Sequence, residues 1–373
     1  MMTAWFKHAR QTRTPVHGMS SEKRRRSQGV AAAYQTLGAI QITTQLMLWS
    51  TLFCYEQTVQ TTWQAVFMQL VPIALLWAIW RSGQAALQTR SGAFAALLLL
   101  PCLLLDTALL LHVLTGLMTK LVPHYSRVAH VCVAAALCFF TAALGRENGV
   151  AYGAGSVRVW LLCLFVLGTV LLNADANPER LWPLWGQGIG KTSVTALSGM
   201  GSVWGVALLF LLPLGKAAMA DSALRKKRFG MQSSTVLWSL LPWALGLVWA
   251  LCLGMTHPWR PGDGLSIGQQ LVAMARKSSS ILLCELSNVM WLLLLIISLA
   301  GCVMSGEKLL RNAVLKIPRS IAAAALLLPG VLCTVFWPEW LFAALTAALP
   351  YRMAFSAVAG VAMVLIAKRG RKQ

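Results

Sequence analysis

The sequence predicts an all-α integral membrane protein with ten transmembrane helices. Of its 373 residues, 57% are hydrophobic and 12% are charged, whereas charged residues make up about 25% of an ordinary soluble domain. The apolar residues fall in ten segments, each near the roughly 20 residues that a helix needs to cross a bilayer. We therefore expect most of the surface to face hydrocarbon rather than water.

The ten apolar segments lie between a basic N-terminal tail (residues 1–30) and a basic C-terminal tail (residues 368–373). They span residues 31–54, 63–80, 93–119, 128–144, 157–172, 197–214, 235–255, 281–304, 321–336 and 341–367. The tenth has an alternative start near Tyr351, because a proline such as Pro350 disfavours helix continuation. Residues 31–367 are thus predicted to form one ten-helix transmembrane domain.

The basic residues predict the orientation of the chain in the membrane. There are 32 Lys and Arg residues against 11 Asp and Glu. With the N-terminus inside, 24 of those 32 fall on the cytoplasmic side, with clusters at 24–26, 225–228 and 368–372. Because cytoplasmic segments are enriched in Lys and Arg, both termini are expected in the cytoplasm. The positive charge then indicates contact with membrane lipid, and we expect no nucleic-acid partner.

No motif for catalysis, a cofactor or a metal is evident. The nine cysteines include no CxxC pair, and the six histidines no HExxH pair. Residues 186–192 end like a phosphate-binding loop, but Trp185 stands where that loop needs its first glycine. We therefore expect no cofactor, no metal site and no enzymatic activity.

Polar residues within the first and third apolar segments are candidates for ligand binding. Gln41, Thr44 and Gln45 share one face of the first segment, because residues three and four apart lie on the same side of a helix. Asp106 lies near the middle of the third segment. An ionised Asp there costs roughly 2.5–3.5 kcal/mol on insertion scales, so it should face the bundle interior, be protonated or have a partner. Clamping of neighbouring helices is the alternative role for these side chains.

Two further candidate groups begin the sixth and eighth segments. Gly199, Gly201 and Ser202 open the sixth segment, where glycines permit either close helix packing or an unwound helix start whose amides face a ligand. Glu285 and Asn288 are three residues apart at the start of the eighth segment. Glu285 could instead reach the lipid headgroups.

Three stretches carry a resemblance to a known family. They are Asn-Pro-Glu-Arg-Leu-Trp-Pro-Leu-Trp-Gly-Gln-Gly at 177–188, Gly205 with the apolar run to Pro213, and Glu-Leu-Ser-Asn-Val-Met-Trp at 285–291. They resemble the loop before the sixth helix, the sixth helix and the eighth helix of spore-germination nutrient-receptor B subunits. These are permease-like members of the amino acid–polyamine–organocation superfamily. The similarity extends over about residues 31–367.

The resemblance implies a LeuT-like fold of two inverted five-helix repeats, with a midplane pocket for a small nutrient, commonly an amino acid. It places the chain in the inner spore membrane beside a germinant-receptor A subunit and a lipoprotein C subunit, to which ligand binding would be relayed to trigger germination. Two alternatives remain open: an ion-coupled amino acid transporter, and a structural membrane subunit without a ligand.

Overall fold

Long apolar helices make up the computed structural model, which describes residues 37–48, most of 63–70, 90–143, a few residues of 162–190 including 177–182, 228–256, 281–313 and 317–369. No β-strand occurs among these residues. The N-terminal tail, residues 370–373 of the C-terminal tail and the sixth apolar segment, with Gly199, Gly201 and Ser202, lie outside them.

Eight helices are used below. They are α1 (Leu37–Leu48), α2 (Arg90–Ala96), α3 (Leu100–Leu121), α4 (Arg127–Ala143), α5 (Arg228–Thr256), α6 (Ile281–Ala313), α7 (Arg319–Phe336) and α8 (Pro338–Arg369). Two 3₁₀ turns, Leu97–Leu99 and Pro178–Leu181, are also described.

Three of these helical stretches are long and apolar enough to cross a membrane: Leu97–Leu121, Cys284–Arg311 and Arg319–Phe336. Shorter apolar helices run over Leu37–Leu48, Arg127–Ala142, Trp243–Met255 and Ala357–Ile366. Each coincides with a predicted apolar segment. The prediction of a helical membrane protein is thus confirmed, whereas the count of ten and the inverted repeat concern segments that lie partly outside the described residues.

Prolines occur within several of these helices, and the helices continue past them. α8 runs through Pro350 as one helix, so the alternative start near Tyr351 does not occur. α7 likewise contains Pro329. Membrane helices tolerate such prolines because neighbouring helices and local adjustments satisfy the freed backbone carbonyls. Pro101 sits in the first turn of α3, where its missing N–H would have no helical partner in any case.

The centre of the bundle is formed by α3 and α6. α6 packs against α3, α7, α4 and α2, and α3 also packs against α4 and α7. Residues 106–115 of α3 and 298–307 of α6 are buried without interruption. Ten residues cover nearly three helical turns, so both helices are surrounded on all sides at these levels.

Close approaches set the spacing between these helices. A Cβ on Gly330 of α7 would lie 3.2 Å from the Cα of Ala108 in α3, so the two backbones nearly touch there. α6 also meets α5 through an edge-on pair of indoles, with the ring centroids of Trp249 and Trp291 5.6 Å apart. The packing therefore combines small residues at the α3–α7 crossing with large aromatic side chains at the α5–α6 crossing.

A buried carboxylate joins α6 to α7 at their shared end. Oε1 of Glu307 lies 3.2 Å from Nη1 of Arg311, one turn later in α6, and 3.3 Å from Nε of Arg319 at the start of α7. The Glu307 side chain is buried, whereas both arginines reach solvent. One acid thus holds two cations at the end of the helical hairpin.

The start of the 177–188 stretch, at residues 177–181, docks against the end of α5. The Asn177 side chain accepts a hydrogen bond from the Glu179 N–H at 2.9 Å and so caps the Pro178–Leu181 turn. The Asn177 N–H donates to the carbonyl of Met255 at 3.1 Å. Gly188 has a φ of 84°, a conformation that glycine adopts without strain. Residues 177–181 therefore lie at the same end of α5 as Thr256.

Candidate solute-binding site

The candidate polar residues of α1 are all buried. Gln41, Thr44 and Gln45 are at most 2% exposed, but so little of α1 is exposed on any side that burial alone selects no face. A contact with α6 does select one, because Nε2 of Gln41 lies against Sγ of Cys302 and donates to it. Oε1 of the same amide is buried and has no hydrogen-bond partner among the described residues.

The face of α6 that meets Gln41 is also polar. Ser298 and Cys302 are four residues apart, and Ser305 follows three residues later, so the three side chains share one face. All three are buried. Oγ of Ser298 has no hydrogen-bond partner within the described part of the chain. We refer to Gln41, Ser298 and Cys302 as the α1–α6 seam.

The seam holds more hydrogen-bonding capacity than the described residues satisfy. An unsatisfied polar atom buried in a protein costs about 1–3 kcal/mol, and lipid offers no partner for it. The buried oxygens of Gln41 and Ser298 therefore favour a polar group between the helices, which a small solute or an ordered water can supply. These side chains carry no formal charge, so they suit hydrogen bonding to a solute rather than proton transfer.

Asp106 lies in the surrounded part of α3 and is fully buried. Thr107 is satisfied within its own helix, since its hydroxyl donates to the carbonyl of Leu103 at 2.7 Å. Asp106 is thus the acidic side chain that the described residues place deepest in the apolar core.

The structure separates the two candidates at the start of α6. Asn288 is buried, whereas Glu285 is exposed together with Ile281, Leu282 and Val289. Asn288 Nδ2 lies 3.9 Å from Sγ of Cys284, and its Oδ1 has no partner in the described regions. Glu285 therefore lies on the outer surface of the helix, and only Asn288 faces the interior.

The predicted pocket between the first and sixth segments lies partly outside the described residues. Gly199, Gly201 and Ser202 belong to that segment, so their approach to Gln41, Thr44 and Gln45 stays a prediction. Thr44 itself donates to the carbonyl of Ile40 at 2.8 Å and is satisfied within α1. On the described side of the site, Gln41 reaches α6 through its contact with Cys302.

Sequence reasoning missed Ser298 and Cys302. In an apolar helix, serine and cysteine are small residues that fit the core, and neither is conspicuous alone. They could have been found from the spacing of the small polar residues in this helix. One face of α6 carries Cys284, Asn288, Ser298, Cys302 and Ser305. Among the described residues, no group of three or more His, Cys, Asp or Glu side chains converges as a metal site would require.

Comparisons with known proteins bear on the fold. No protein-family model matches the chain, and no curated protein matches it. Among solved structures, the chain is similar to a manganese transporter from Eremococcus coleocola, determined in complex with an aromatic bis-isothiourea substituted compound. The TM-score is 0.50 at 16% sequence identity, over 88% of this chain and 76% of that chain.

This likeness concerns the fold. The described residues are all helical or in turns and loops, and the fold is similar to that of a membrane transporter, which agrees with the permease-like architecture expected from the sequence. At 16% identity the substrate of that transporter does not carry over to this chain. The likeness also does not extend to a role in germination.

Proposed function

We propose that this protein is a membrane permease-like subunit that binds a small polar solute between its central helices. The observation that carries this proposal is the α1–α6 seam. It places two buried oxygens, on Gln41 and Ser298, where the described residues give them no hydrogen-bond partner. A transporter-like fold supports the proposal, because polar groups inside the membrane mark substrate pathways in such proteins.

The solute class follows from the chemistry of the seam. Amide and hydroxyl groups recognise ammonium, hydroxyl and carboxylate groups by hydrogen bonding. Asp106 adds a potential negative charge in the core, which favours a solute that carries a cationic group. A small zwitterion such as an amino acid satisfies both requirements.

The finer proposal comes from the resemblance to germinant-receptor B subunits. In that role the protein would sense an amino acid in the inner spore membrane and relay binding to A and lipoprotein C subunits. The stretches at 177–188 and 285–291 motivate this role. Both termini would then lie in the cytoplasm.

An ion-coupled amino acid transporter is the second candidate, and the structural neighbour favours it. A transporter needs an oxygen-rich site for its coupling ion, and Asp106 is the described acid best placed to contribute. The two roles differ in one respect: a transporter moves the solute across the membrane, whereas a sensor only binds it.

Purified full-length protein in proteoliposomes separates the candidates. Binding of radiolabelled amino acids is measured at equilibrium, and accumulation inside the vesicles is measured with and without proton and sodium gradients. Binding without accumulation supports the sensor, and gradient-driven accumulation supports the transporter. Absence of both across the twenty amino acids contradicts the amino acid proposal and favours a structural subunit.

A further inference from the structure

The turn between α3 and α4 carries a concentration of positive charge. Between Asp106 and Glu147 the sequence contains no acidic residue, but it contains three histidines, one lysine and two arginines. Lys120, His124 and Arg127 lie at the ends of the two helices or in the turn that joins them. This positive charge is therefore not balanced by a nearby acid in the sequence.

Arg127 is turned towards the protein rather than away from it. Its Nη2 lies 3.5 Å from Nδ1 of His112, a residue 15 positions earlier and only 6% exposed. A guanidinium only donates hydrogen bonds, so Nδ1 of His112 acts as the acceptor. No carboxylate contacts Arg127 in the described part of the chain. The remaining N–H groups of the guanidinium stay available at the protein surface.

The start of α4 adds to the positive potential. The Ser126 hydroxyl accepts from the Ala129 N–H at 3.3 Å, and Nδ1 of His130 lies 3.0 Å from the Ser126 carbonyl. A helix N-terminus carries partial positive charge, so a cation there is unfavourable unless an anion is bound. The positive end of α4 and the guanidinium donors of Arg127 therefore both favour an anion.

We propose that Arg127, supported by His112, binds an oxyanion (a carboxylate or a phosphate) at the α3–α4 end of the bundle. The planar guanidinium matches such a group in a two-pronged hydrogen-bonded geometry. The site adjoins the end of the Leu97–Leu121 membrane span, beside the exposed Tyr125, a residue type enriched at membrane interfaces. A lipid headgroup and a free anion present the same chemistry there. The site is separate from the α1–α6 seam and does not depend on it.

The test uses full-length protein in nanodiscs of phosphatidylcholine, with the melting temperature as readout. One arm titrates inorganic phosphate at constant ionic strength, and the other replaces part of the lipid by phosphatidylglycerol. A ligand that binds only the folded protein raises its melting temperature. We expect a rise in at least one arm, and the arm that gives it identifies the source of the anion.

Two variants test whether the rise in melting temperature depends on Arg127. Arg127→Gln should raise the apparent dissociation constant about tenfold or more, because charge-assisted hydrogen bonds are lost. Lys120→Gln removes the same charge from an exposed neighbour and should weaken binding less than Arg127→Gln does, because Lys120 adds to the local positive charge without facing the anion. If Arg127→Gln cannot be purified, Arg127→Lys takes its place. Lysine retains the positive charge but lacks the planar guanidinium, so this variant should bind the anion more weakly than wild type does. An absent rise in wild type, or equal responses of wild type and the Arg127 variant, would overturn the proposal.

Discussion

Buried polar side chains of this chain differ in how their hydrogen bonds are satisfied. The hydroxyls of Thr43, Thr44, Thr107 and Thr115 donate to carbonyls four residues earlier in their own helices. The oxygens of Gln41, Asn288 and Ser298 find no such partner among the described residues. The donors of the threonines are therefore used within their own helices, whereas the second group has oxygens that remain open to a solute.

Asp106→Leu is expected to insert into the membrane and to lose solute binding. Removing the acid from the middle of a span eases insertion by at most about 2.5–3.5 kcal/mol, but it also removes the deepest negative charge described. Membrane-fraction yield and equilibrium binding measure the two effects. Asp106→Asn is the matched control for charge, since it keeps the shape of the side chain. Normal binding by the leucine variant would make Asp106 structural.

Glu307→Gln is expected to destabilise the α6–α7 hairpin by about 1–3 kcal/mol. Breaking a buried ion pair costs more than this, but here both arginines reach solvent and regain water. Arg311→Gln should cost less, because Arg319 still pairs with the acid. Thermal unfolding in detergent compares the three proteins. An unchanged melting temperature for Glu307→Gln would mean that the ion pairs contribute nothing to stability.

At the scale of elements, the sequence predicts the helices well and their ends less well. The fourth segment, predicted at 128–144, matches Arg127–Ala143 closely. The eighth was expected to end at residue 304, yet α6 continues to Ala313. The prediction ended where charged residues begin, whereas the charge of Glu307 is satisfied by Arg311 and Arg319 inside the fold. A hydropathy pattern cannot anticipate such a tertiary partner.

Gly330→Val is expected to push α3 and α7 apart. The new Cβ would meet backbone of Ala108 at 3.2 Å, and backbone cannot rotate away as a side chain can. Overpacking of this kind costs about 1–3 kcal/mol. Gly190→Val is the control, because nothing lies within 4 Å of a Cβ at that position. The unfolding temperatures of both variants are compared with that of wild type. Equal decreases in the two variants would contradict the close α3–α7 crossing.

At the scale of the whole molecule, half of the candidate site could be predicted from the sequence. The α1 side follows from the spacing of Gln41, Thr44 and Gln45 along a helix. The α6 side does not, because the pairing of Gln41 with Cys302 joins residues 261 positions apart. Helical periodicity predicts faces, but which faces meet depends on how the whole bundle packs.

The topology makes a prediction for the whole chain. Residues 177–181 dock at the end of α5, and the basic cluster 225–228 precedes the start of α5 at Arg228 in the sequence. The 29 residues of α5 form a helix about 43 Å long, so we expect the two sites on opposite sides of a bilayer. An impermeant thiol reagent applied to intact cells should label Glu179→Cys and spare Ser222→Cys. The reverse labelling pattern would invert the orientation.

The central claim is that the α1–α6 seam binds a solute, and equilibrium binding to full-length protein tests it most directly. The amino acid that binds wild type best is compared across wild type, Gln41→Leu and Thr43→Val. Thr43 is the control, because its hydroxyl bonds within α1. Loss of a hydrogen-bonding side chain from a buried polar site should weaken binding by Gln41→Leu about tenfold or more, while Thr43→Val binds as wild type does. Equal affinities for wild type and Gln41→Leu would contradict the claim.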